Sequence, residues 1–490
     1  MNSLKYFSQF RNNIIGNELK YESPYGIQKM IYADWIASGR LYKPIENKIV
    51  NDFGPYVANT HTETCEAGTV MTNAYNASHC IIKQHVNADK NDVLINTGYG
   101  MTAAVNKFQR ILGIRSCGKI FKNKCIEKHE KPVVFVTHME HHSNHTSWYA
   151  TSADVVVLPP GKDMLVDLNI LEDYLKKYRK HKLKFGSFTS CSNVTGISTP
   201  YHDMARLMHE HGGLCFVDFA ASAPYKSINM HPKDSMEKLD AIFFSPHKFL
   251  GGPGAGGVLL FDGCLYSNTM PDQPGGGTVE WTNPWGEYKF VDDIEVREDG
   301  GTPGFLQSIR TALSIRLKEK MNVDKICERE KEIKNIFSEG LKNIKGINIL
   351  AGGVMDRLPV FSFYHKKIHY NLIVKLLSDR FGIQCRGGCA CAGTYGHILL
   401  EVNHEKSKQI TNLIDKGDLS QKPGWVRISF HPTNTNDELY FILNAIQEVV
   451  KNYSKWQKDY RYDTRKNEFF HVSSNPNYQA LLSKWYNMDL

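Results

Sequence analysis

The chain has 490 residues, 41% hydrophobic and 22% charged, which is ordinary for a globular protein and enough for roughly two to four domains. It contains no apolar run of the roughly 18 residues that a membrane-spanning helix needs, so we expect no membrane partner. The first residues lack the apolar core of a secretory signal. Eleven scattered cysteines, an odd number, are typical of reduced thiols, and we therefore expect a cytoplasmic protein.

The net charge of +8 comes largely from two basic runs, residues 115–131 and 176–184, which carry six Lys or Arg each. Neither run is interleaved with the aromatic residues that would stack on bases. Such runs are more often solvated loops and helix ends, and we expect no nucleic-acid partner. The alternative, binding through these runs, would depend strongly on salt.

From residue 92 onward, short apolar strands alternate with helices. Strands are predicted at 92–96, 132–137, 154–158, 185–190, 214–219, 240–244 and 258–261, with helices near 102–112, 168–181 and 200–211. Continuous apolar strands between helices indicate a mainly parallel sheet buried on both faces. The sequence therefore predicts an α/β domain over residues 31–306, preceded by an N-terminal segment, 1–30.

The second part of the chain has a different pattern. A long amphipathic stretch, 307–341, predicts one or two helices, and strands at 358–363 and 425–430 accompany helices near 370–381 and 436–452. This pattern predicts a smaller α+β domain over 307–452. The aromatic-rich tail, 453–490, is predicted to pack over the surface.

Polar residues follow several of the predicted strands at the point where each one ends. Asp218 ends its strand and Lys248 comes four residues after another. Asn193 follows a third strand, and His141 and His142 follow a fourth. Ligands of open parallel sheets bind beyond the carboxyl ends of the strands. Each residue alone has an ordinary alternative, such as a helix cap, a turn former or a solvated lysine. Their coincidence at one edge favours a site.

The residue types suit pyridoxal phosphate. The turn "TGYGMT", 97–102, offers N–H groups and a hydroxyl to a phosphate at a helix N-terminus. Lys248 can form an imine with the cofactor aldehyde, and Asp218 can pair with the pyridine nitrogen. A histidine can stack on the ring, an asparagine can donate to its hydroxyl, and Ser245 and His247 can cap the phosphate.

Several stretches together resemble the class V aminotransferase family of fold-type I pyridoxal phosphate enzymes, and cysteine desulfurases and selenocysteine lyases in particular. They occur in family order between about residues 31 and 436: "IYADWIASG", "TGYGMTAAVN", "MEHHSNHTSW", "SCSNVTGI", "VDFAASAPY", "FFSPHKFLGGPGAGGVLLF", "EDGGTP", "RGGCACAG" and "VRISFHPTNT". The resemblance implies a large domain with a mainly parallel seven-stranded sheet and a smaller C-terminal α+β domain.

The resemblance also implies roles for individual residues. Lys248 holds the cofactor covalently, and Thr302 reaches the phosphate from a partner subunit, so that a homodimer with shared active sites is expected. Arg427 pairs with the substrate carboxylate, and Arg386 assists the thiolate or the substrate. The cofactor ring is contacted by His141, Asn193 and Asp218, and His141 also serves in proton transfer. The phosphate is contacted by Gly100, Met101, Thr102, Ser245 and His247.

A cysteine loop, "CRGGCACAG", distinguishes desulfurases from other family members. Counted from Arg386, Cys391 lies where the family has its persulfide cysteine, and Cys389 is an alternative acceptor. Cys385, Cys389 and Cys391 supply three thiolates without a fourth ligand at the usual zinc spacing, so no metal site is expected.

The resemblance implies that L-cysteine is converted to L-alanine while its sulfur passes to Cys391 as a persulfide, from which a sulfur-acceptor protein could take it. Ala221 departs from the glutamine that many desulfurases have three residues after the ring aspartate. The alternative is an aminotransferase, epimerase or lyase acting on another amino acid, selenocysteine among them. A non-catalytic protein that kept the fold is a third hypothesis.

Overall fold

The computed structural model describes residues 3–60, 62–115, 130–473 and 478–488. Most of the basic run 115–131, predicted to be solvated, lies outside the described residues. Among the helices of the described segments, none combines the length and apolar character that a membrane crossing requires.

The N-terminal elements pack onto parts of the chain that come much later. They are α1 (Ser3–Arg11), β1 (Lys20–Ser23), β2 (Gly26–Lys29), β3 (Ile31–Tyr32), α2 (Lys43–Lys48) and α3 (Glu66–His85). β1 and β2 form an antiparallel hairpin. Phe7 and Phe10 of α1 are buried in an apolar cluster that also contains Trp35 and Leu317. Burial of these rings holds the N-terminal helix in place.

A seven-stranded sheet forms the centre of the molecule. Its elements are β4 (Asp92–Thr97), α4 (Met101–Ile111), β5 (Val133–Thr137), α5 (His142–His145), β6 (Asp154–Leu158), α6 (Leu168–Lys177), β7 (Lys184–Thr189), α7 (Tyr201–Glu210), β8 (Leu214–Asp218), β9 (Ala241–Phe244) and β10 (Gly257–Asp262). The strand order is β4-β10-β9-β8-β7-β5-β6. β10 is antiparallel to both neighbours, and the other pairs are parallel. The predicted α/β fold with a mainly parallel seven-stranded sheet is confirmed.

Alternate side chains of the strands build two cores, one on each face of the sheet. Phe135 of β5 points into a cluster with Met204 and Met208 of α7. Its neighbour Val134 belongs to the opposite cluster, which contains Phe108 of α4. Since both faces are covered, the strands must be apolar throughout, which is the pattern seen in the sequence.

The chain leaves the sheet through a hairpin and two long helices. The elements are β11 (Val279–Thr282), β12 (Tyr288–Phe290), α8 (Ile294–Arg297), α9 (Phe305–Met321) and α10 (Val323–Lys342). The predicted amphipathic stretch is therefore two helices. Asn322 separates them with a left-handed φ of 62°, and its side chain accepts from the backbone N–H groups of Asp324 and Lys325 at the start of α10. α9 packs against α3.

A smaller antiparallel sheet follows, in the order β13-β14-β17-β16. Its region comprises β13 (Ile347–Ile349), β14 (Val360–His365), α11 (Tyr370–Phe381), β15 (Ile383–Gln384), β16 (Arg386–Gly388), α12 (Gly393–Leu399), α13 (His404–Asp415), β17 (Trp425–Ser429) and α14 (Asn436–Trp456). β15 pairs with β3, and α10 and α11 both pack against α14. The boundaries at residues 30, 306 and 452 stay a prediction.

The tail forms an antiparallel hairpin of β18 (Tyr460–Asp463) and β19 (Glu468–His471), followed by α15 (Tyr478–Tyr486). The hairpin packs against α11, where the Tyr460 hydroxyl donates to Asp379 Oδ2 over 3.0 Å. The aromatic residues of this hairpin thus cover the smaller sheet region.

Candidate active site

The polar residues singled out from the sequence converge on one cavity of about 200 Å³ beyond the carboxyl ends of the parallel strands. Loops from the central sheet form one wall, and β16, the cysteine loop and β17 form the other. The predicted residues that line it are Met101, Thr102, His141, Asn193, Asp218, Ser245, His247, Lys248, Arg386, Cys391 and Arg427.

Lys248 lies in a single helical turn, Pro246–Lys248, that directly follows β9. Its Nζ makes no hydrogen bond or ion pair with any other described residue. Burial lowers the pKa of Lys248 to about 8, although the carboxylate of Asp218 opposes the shift. At neutral pH roughly a tenth of the side chain is therefore the free amine, which is the nucleophilic form.

Two glycines allow the chain to fold tightly around Lys248. A Cβ on Gly252 would lie 1.9 Å from the carbonyl oxygen of Pro246, and one on Gly257 would lie 2.3 Å from that of Gly100. Backbone therefore approaches backbone more closely than any side chain permits. These contacts join the lysine turn to the turn that begins α4.

Asp218 ends β8 and is 3% exposed. Its Oδ1 accepts from the backbone N–H of Ala220 over 2.8 Å. Burial raises the pKa of Asp218 to about 6, with the hydrogen bond and Lys248 opposing the shift. The group is thus ionised at neutral pH, and a buried carboxylate of this kind is stabilised by a cationic partner.

His141 is fixed as a neutral imidazole with a defined tautomer. It is the N-cap of α5, and its Nδ1 accepts from the backbone N–H of Ser143 over 3.1 Å, which places the ring proton on Nε2. Burial, and secondly Lys248, lower the pKa of His141 to about 3. The ring therefore stays uncharged beside the lysine.

The turn before α4 offers an anion site at the end of an eleven-residue helix. Gly100 precedes the helix with a φ of 145°, and a Cβ there would lie 3.0 Å from Ser245 Oγ. The backbone N–H of Met101 donates to that oxygen over 2.8 Å. Burial lowers the pKa of the neighbouring His247 to about 4. Thr102 hydrogen-bonds Ser143 over 2.6 Å, so hydroxyls and N–H groups surround the turn.

Asn193 connects the sheet to the cysteine loop. Its Nδ2 donates to the carbonyl oxygen of Ala390 over 2.7 Å. Its Oδ1 is buried and has no partner within the described segments. An unsatisfied buried acceptor is costly, and a hydroxyl donor entering the cavity would satisfy it.

Arg427, on β17, is already paired. It is 2% exposed, its Nη2 donates to Asp34 Oδ1 over 2.6 Å, and its Nη1 donates to the carbonyl oxygen of Asn193 over 3.1 Å. Its Nε is buried without a partner in the described part of the chain. Burial lowers the pKa of Arg427, with Asp34 opposing the shift. Asp34 was not among the predicted site residues, although it lies in the stretch "IYADWIASG".

Of the three loop cysteines, only Cys391 lines the cavity. Its Sγ lies 4.0 Å from Nη2 of Arg386, an exposed side chain at the start of β16. Cys389 instead packs against an apolar cluster around Trp425. Burial raises the pKa of Cys385 strongly, so that this thiol stays protonated. The geometry favours Cys391 as the reactive thiol.

Thr302 is the predicted site residue that lies apart from the cavity. It is exposed, and its Oγ1 donates to Asn59 Oδ1 over 3.3 Å. Its expected contact comes from a second subunit, and this role stays a prediction. The cavity wall also includes Cys191 and Ala221, which the sequence analysis had not assigned to it; both lie in stretches quoted for the resemblance.

Comparisons with known proteins show which family this chain matches. The sequence model of the aminotransferase class-V family matches residues 31–441. A probable cysteine desulfurase of Halalkalibacterium halodurans is 26% identical over 373 residues, covering 74% of this chain and 84% of that protein. A probable cysteine desulfurase of Staphylococcus aureus is 25% identical over 433 residues, covering 87% and 94%.

Solved structures show the same fold. The apo cysteine desulfurase of Thermococcus onnurineus superimposes with a TM-score of 0.72 at 23% identity, covering 91% of this chain and 98% of that one. The cysteine desulfurase CsdA of Escherichia coli, in an S-sulfonic acid form, gives a TM-score of 0.69 at 20% identity, covering 91% and 98%. The family match spans most of the chain, and the cavity lies within it. The chain therefore belongs to the class-V aminotransferase family.

Proposed function

We propose that this protein is a pyridoxal phosphate-dependent cysteine desulfurase, which converts L-cysteine to L-alanine and takes the sulfur onto Cys391. The observation that carries the proposal is the presence of Lys248, Arg427 and the Cys391 thiol in one cavity. The names of the bacterial relatives support the same reaction.

The residues of the cavity fit pyridoxal phosphate. Lys248 would hold it covalently, Asp218 would pair with its ring nitrogen, and His141 would lie against the ring. The unpartnered Oδ1 of Asn193 would accept from the ring hydroxyl. The phosphate would lie at the α4 turn, near Ser245 and His247. When bound, this cofactor draws electrons from the bonds of an attached amino acid.

The protein groups then supply binding, proton transfer and the sulfur acceptor. Arg427 offers its free Nε to the substrate carboxylate, and the Lys248 amine can move the α-proton. The Cys391 thiolate attacks the substrate sulfur: an S–S bond forms, the C–S bond breaks, and the carbon takes a proton to become alanine. The guanidinium of Arg386, 4.0 Å from Sγ, places a positive charge beside this sulfur.

We further propose a homodimer in which Thr302 of each subunit completes the phosphate site of the other. The exposed position of Thr302, away from its own cavity, supports this arrangement. A sulfur-acceptor protein would take the persulfide sulfur. Cytoplasmic location stays an expectation from the cysteine content.

Variants of the loop cysteines test the reaction. In Cys391→Ala, alanine and sulfide formation from L-cysteine should be lost, while borohydride still fixes the cofactor to the peptide that contains Lys248. The matched control, Cys389→Ala, should retain activity because that thiol packs outside the cavity. Unchanged turnover in Cys391→Ala would favour an aminotransferase, epimerase or lyase acting on another amino acid.

A further inference from the structure

The segment that carries Cys391 has an unfavourable backbone conformation. The backbone N–H of Ala392 donates to the carbonyl oxygen of Cys389 over 3.0 Å, which closes a tight turn. Both central residues are left-handed, Ala390 with a φ of 49° and Cys391 with a φ of 56°. Residues with a Cβ avoid this region, and two in succession persist only where surrounding contacts impose them.

His142 supplies two of the contacts that impose this turn. Its backbone N–H donates to the carbonyl oxygen of Cys391 over 2.8 Å, and its Nε2 accepts from the backbone N–H of Gly393 over 2.8 Å. One residue thus binds the backbone on both sides of Ala392, at the carbonyl of Cys391 and at the N–H of Gly393. A Cβ on Gly393 would lie 3.1 Å from that nitrogen, so the close approach suits glycine. Asn193 holds the carbonyl of Ala390 from the other side.

We propose that His142 is a positioning residue that clamps the cysteine loop onto the sheet and so presents the Cys391 thiol to the cavity. The inference rests on the proposed function for its consequence in sulfur transfer, but the clamp itself is a property of the loop. The residue is adjacent to His141, so the same strand end positions the ring contact and the sulfur acceptor.

The clamp requires an unprotonated Nε2, because a protonated nitrogen cannot accept from Gly393. The titratable groups that face the His142 ring are His141 and His145 from its own segment and Lys422 from the segment before β17. Burial, and secondly Lys422, lower the pKa of His142, so the ring is neutral at neutral pH. Acidification through that lowered pKa removes the acceptor.

The test uses the holoenzyme loaded with pyridoxal phosphate. In His142→Ala, the rate of persulfide formation on Cys391 in a single turnover with L-cysteine should fall on the order of tenfold, because a misplaced nucleophile loses its alignment. The dissociation constant for L-cysteine, measured by titrating the cofactor spectrum, should stay within about twofold of the wild-type value, since substrate binding does not use the clamp. His142→Gln, whose amide oxygen can accept from Gly393, should recover most of the rate and lose the contribution of His142 to the acid limb of the pH profile.

A second readout does not depend on the reaction. The alkylation rate of Cys391 by iodoacetamide, without L-cysteine, should rise in His142→Ala and stay unchanged in His202→Ala, a histidine on α7 that contacts Glu237. If the wild type forms no persulfide but His142→Ala still raises alkylation, the proposed function fails and the clamp stands. Alkylation that does not rise in His142→Ala would overturn the clamp, and so would an unchanged rate of persulfide formation in that variant when the wild type does form the persulfide.

Discussion

Removing the charge of Asp34 should show how strongly the cavity wall around Arg427 depends on one ion pair. Arg427 is buried, and Asp34 is its carboxylate partner among the described residues. Asp34→Asn keeps the shape and one hydrogen-bond acceptor but leaves a buried guanidinium without a counter-charge. The positive charge of the nearby Arg386 adds to the cost.

The size of the effect follows from burial. The side chain of Arg427 is 3% exposed and that of Asp34 is 17% exposed, so solvent screens the pair only weakly. Breaking such a pair from one side costs about 3 kcal/mol in the free energy of unfolding, at the lower end of measured values because Asp34 is partly hydrated. Replacing both partners, as in Asp34→Asn with Arg427→Met, removes the uncompensated charge and should recover about 2 kcal/mol of that loss.

Urea unfolding of the cofactor-free protein, followed by circular dichroism, measures these differences in a double-mutant cycle with wild type, both single variants and the double variant. The cofactor is left out so that ligand binding does not add to stability. The ion pair does not stabilise this part of the cavity if the unfolding free energy of Asp34→Asn lies within about 0.5 kcal/mol of the wild-type value. The same conclusion follows if the double variant is no more stable than Asp34→Asn.

Three further variants test the packing and electrostatics of the site and its supports. Because the folded-state pKa of Asp218 is raised to about 6, wild type should lose about 2 kcal/mol of stability relative to Asp218→Asn as the pH rises from 4 to 7, since the carboxyl ionises more readily in the unfolded state; equal pH dependence in urea unfolding would contradict this. Gly257→Ala should destabilise by more than about 2 kcal/mol, since its Cβ would meet Gly100 O at 2.3 Å; thermal unfolding checks it. Thr435→Ala should cost about 1 kcal/mol by removing the capping box with Glu438 on α14, and a midpoint equal to wild type would refute it.

The central sheet could be predicted because its signals are local. Buried strands such as β5 and β8 are mainly apolar runs, and their polar last residues, Thr137 and Asp218, mark where the chain turns toward the ligand edge. The sequence did not separate α9 from α10, because Asn322 interrupts a stretch that is otherwise suited to one helix. It also gave no sign that β3 pairs with β15, a contact between residues more than 300 positions apart.

The site could be predicted only as far as residue types declare their chemistry. Lys248 and Asp218 stand out because they follow neighbouring strands at one edge of the sheet, and Cys391 because it lies in a glycine-flanked cysteine loop. Asp34 did not stand out, and His142 did so only as a second histidine after a strand, since the partners of both residues are brought near only by folding. These partners are a guanidinium on β17 and an amide beyond the cysteine turn. A backbone N–H or carbonyl is present at almost every residue, so the sequence does not show which backbone group a side chain such as that of His142 will bind.

The charges around the cavity favour anionic ligands but restrict how they bind. When Lys248 is protonated, the cavity holds three positive charges, on Lys248, Arg386 and Arg427. The carboxylates of Asp34 and Asp218 balance two of them, so one positive charge stays uncompensated. A phosphate at the α4 turn and a substrate carboxylate both gain from that field. Since Asp34 already holds one nitrogen of Arg427, a substrate carboxylate must approach the remaining Nε or displace the aspartate. A covalent link at Lys248 would give a ligand a second anchor, and a ligand that lacks one gains little from Arg427. We therefore expect simple carboxylates to inhibit only weakly.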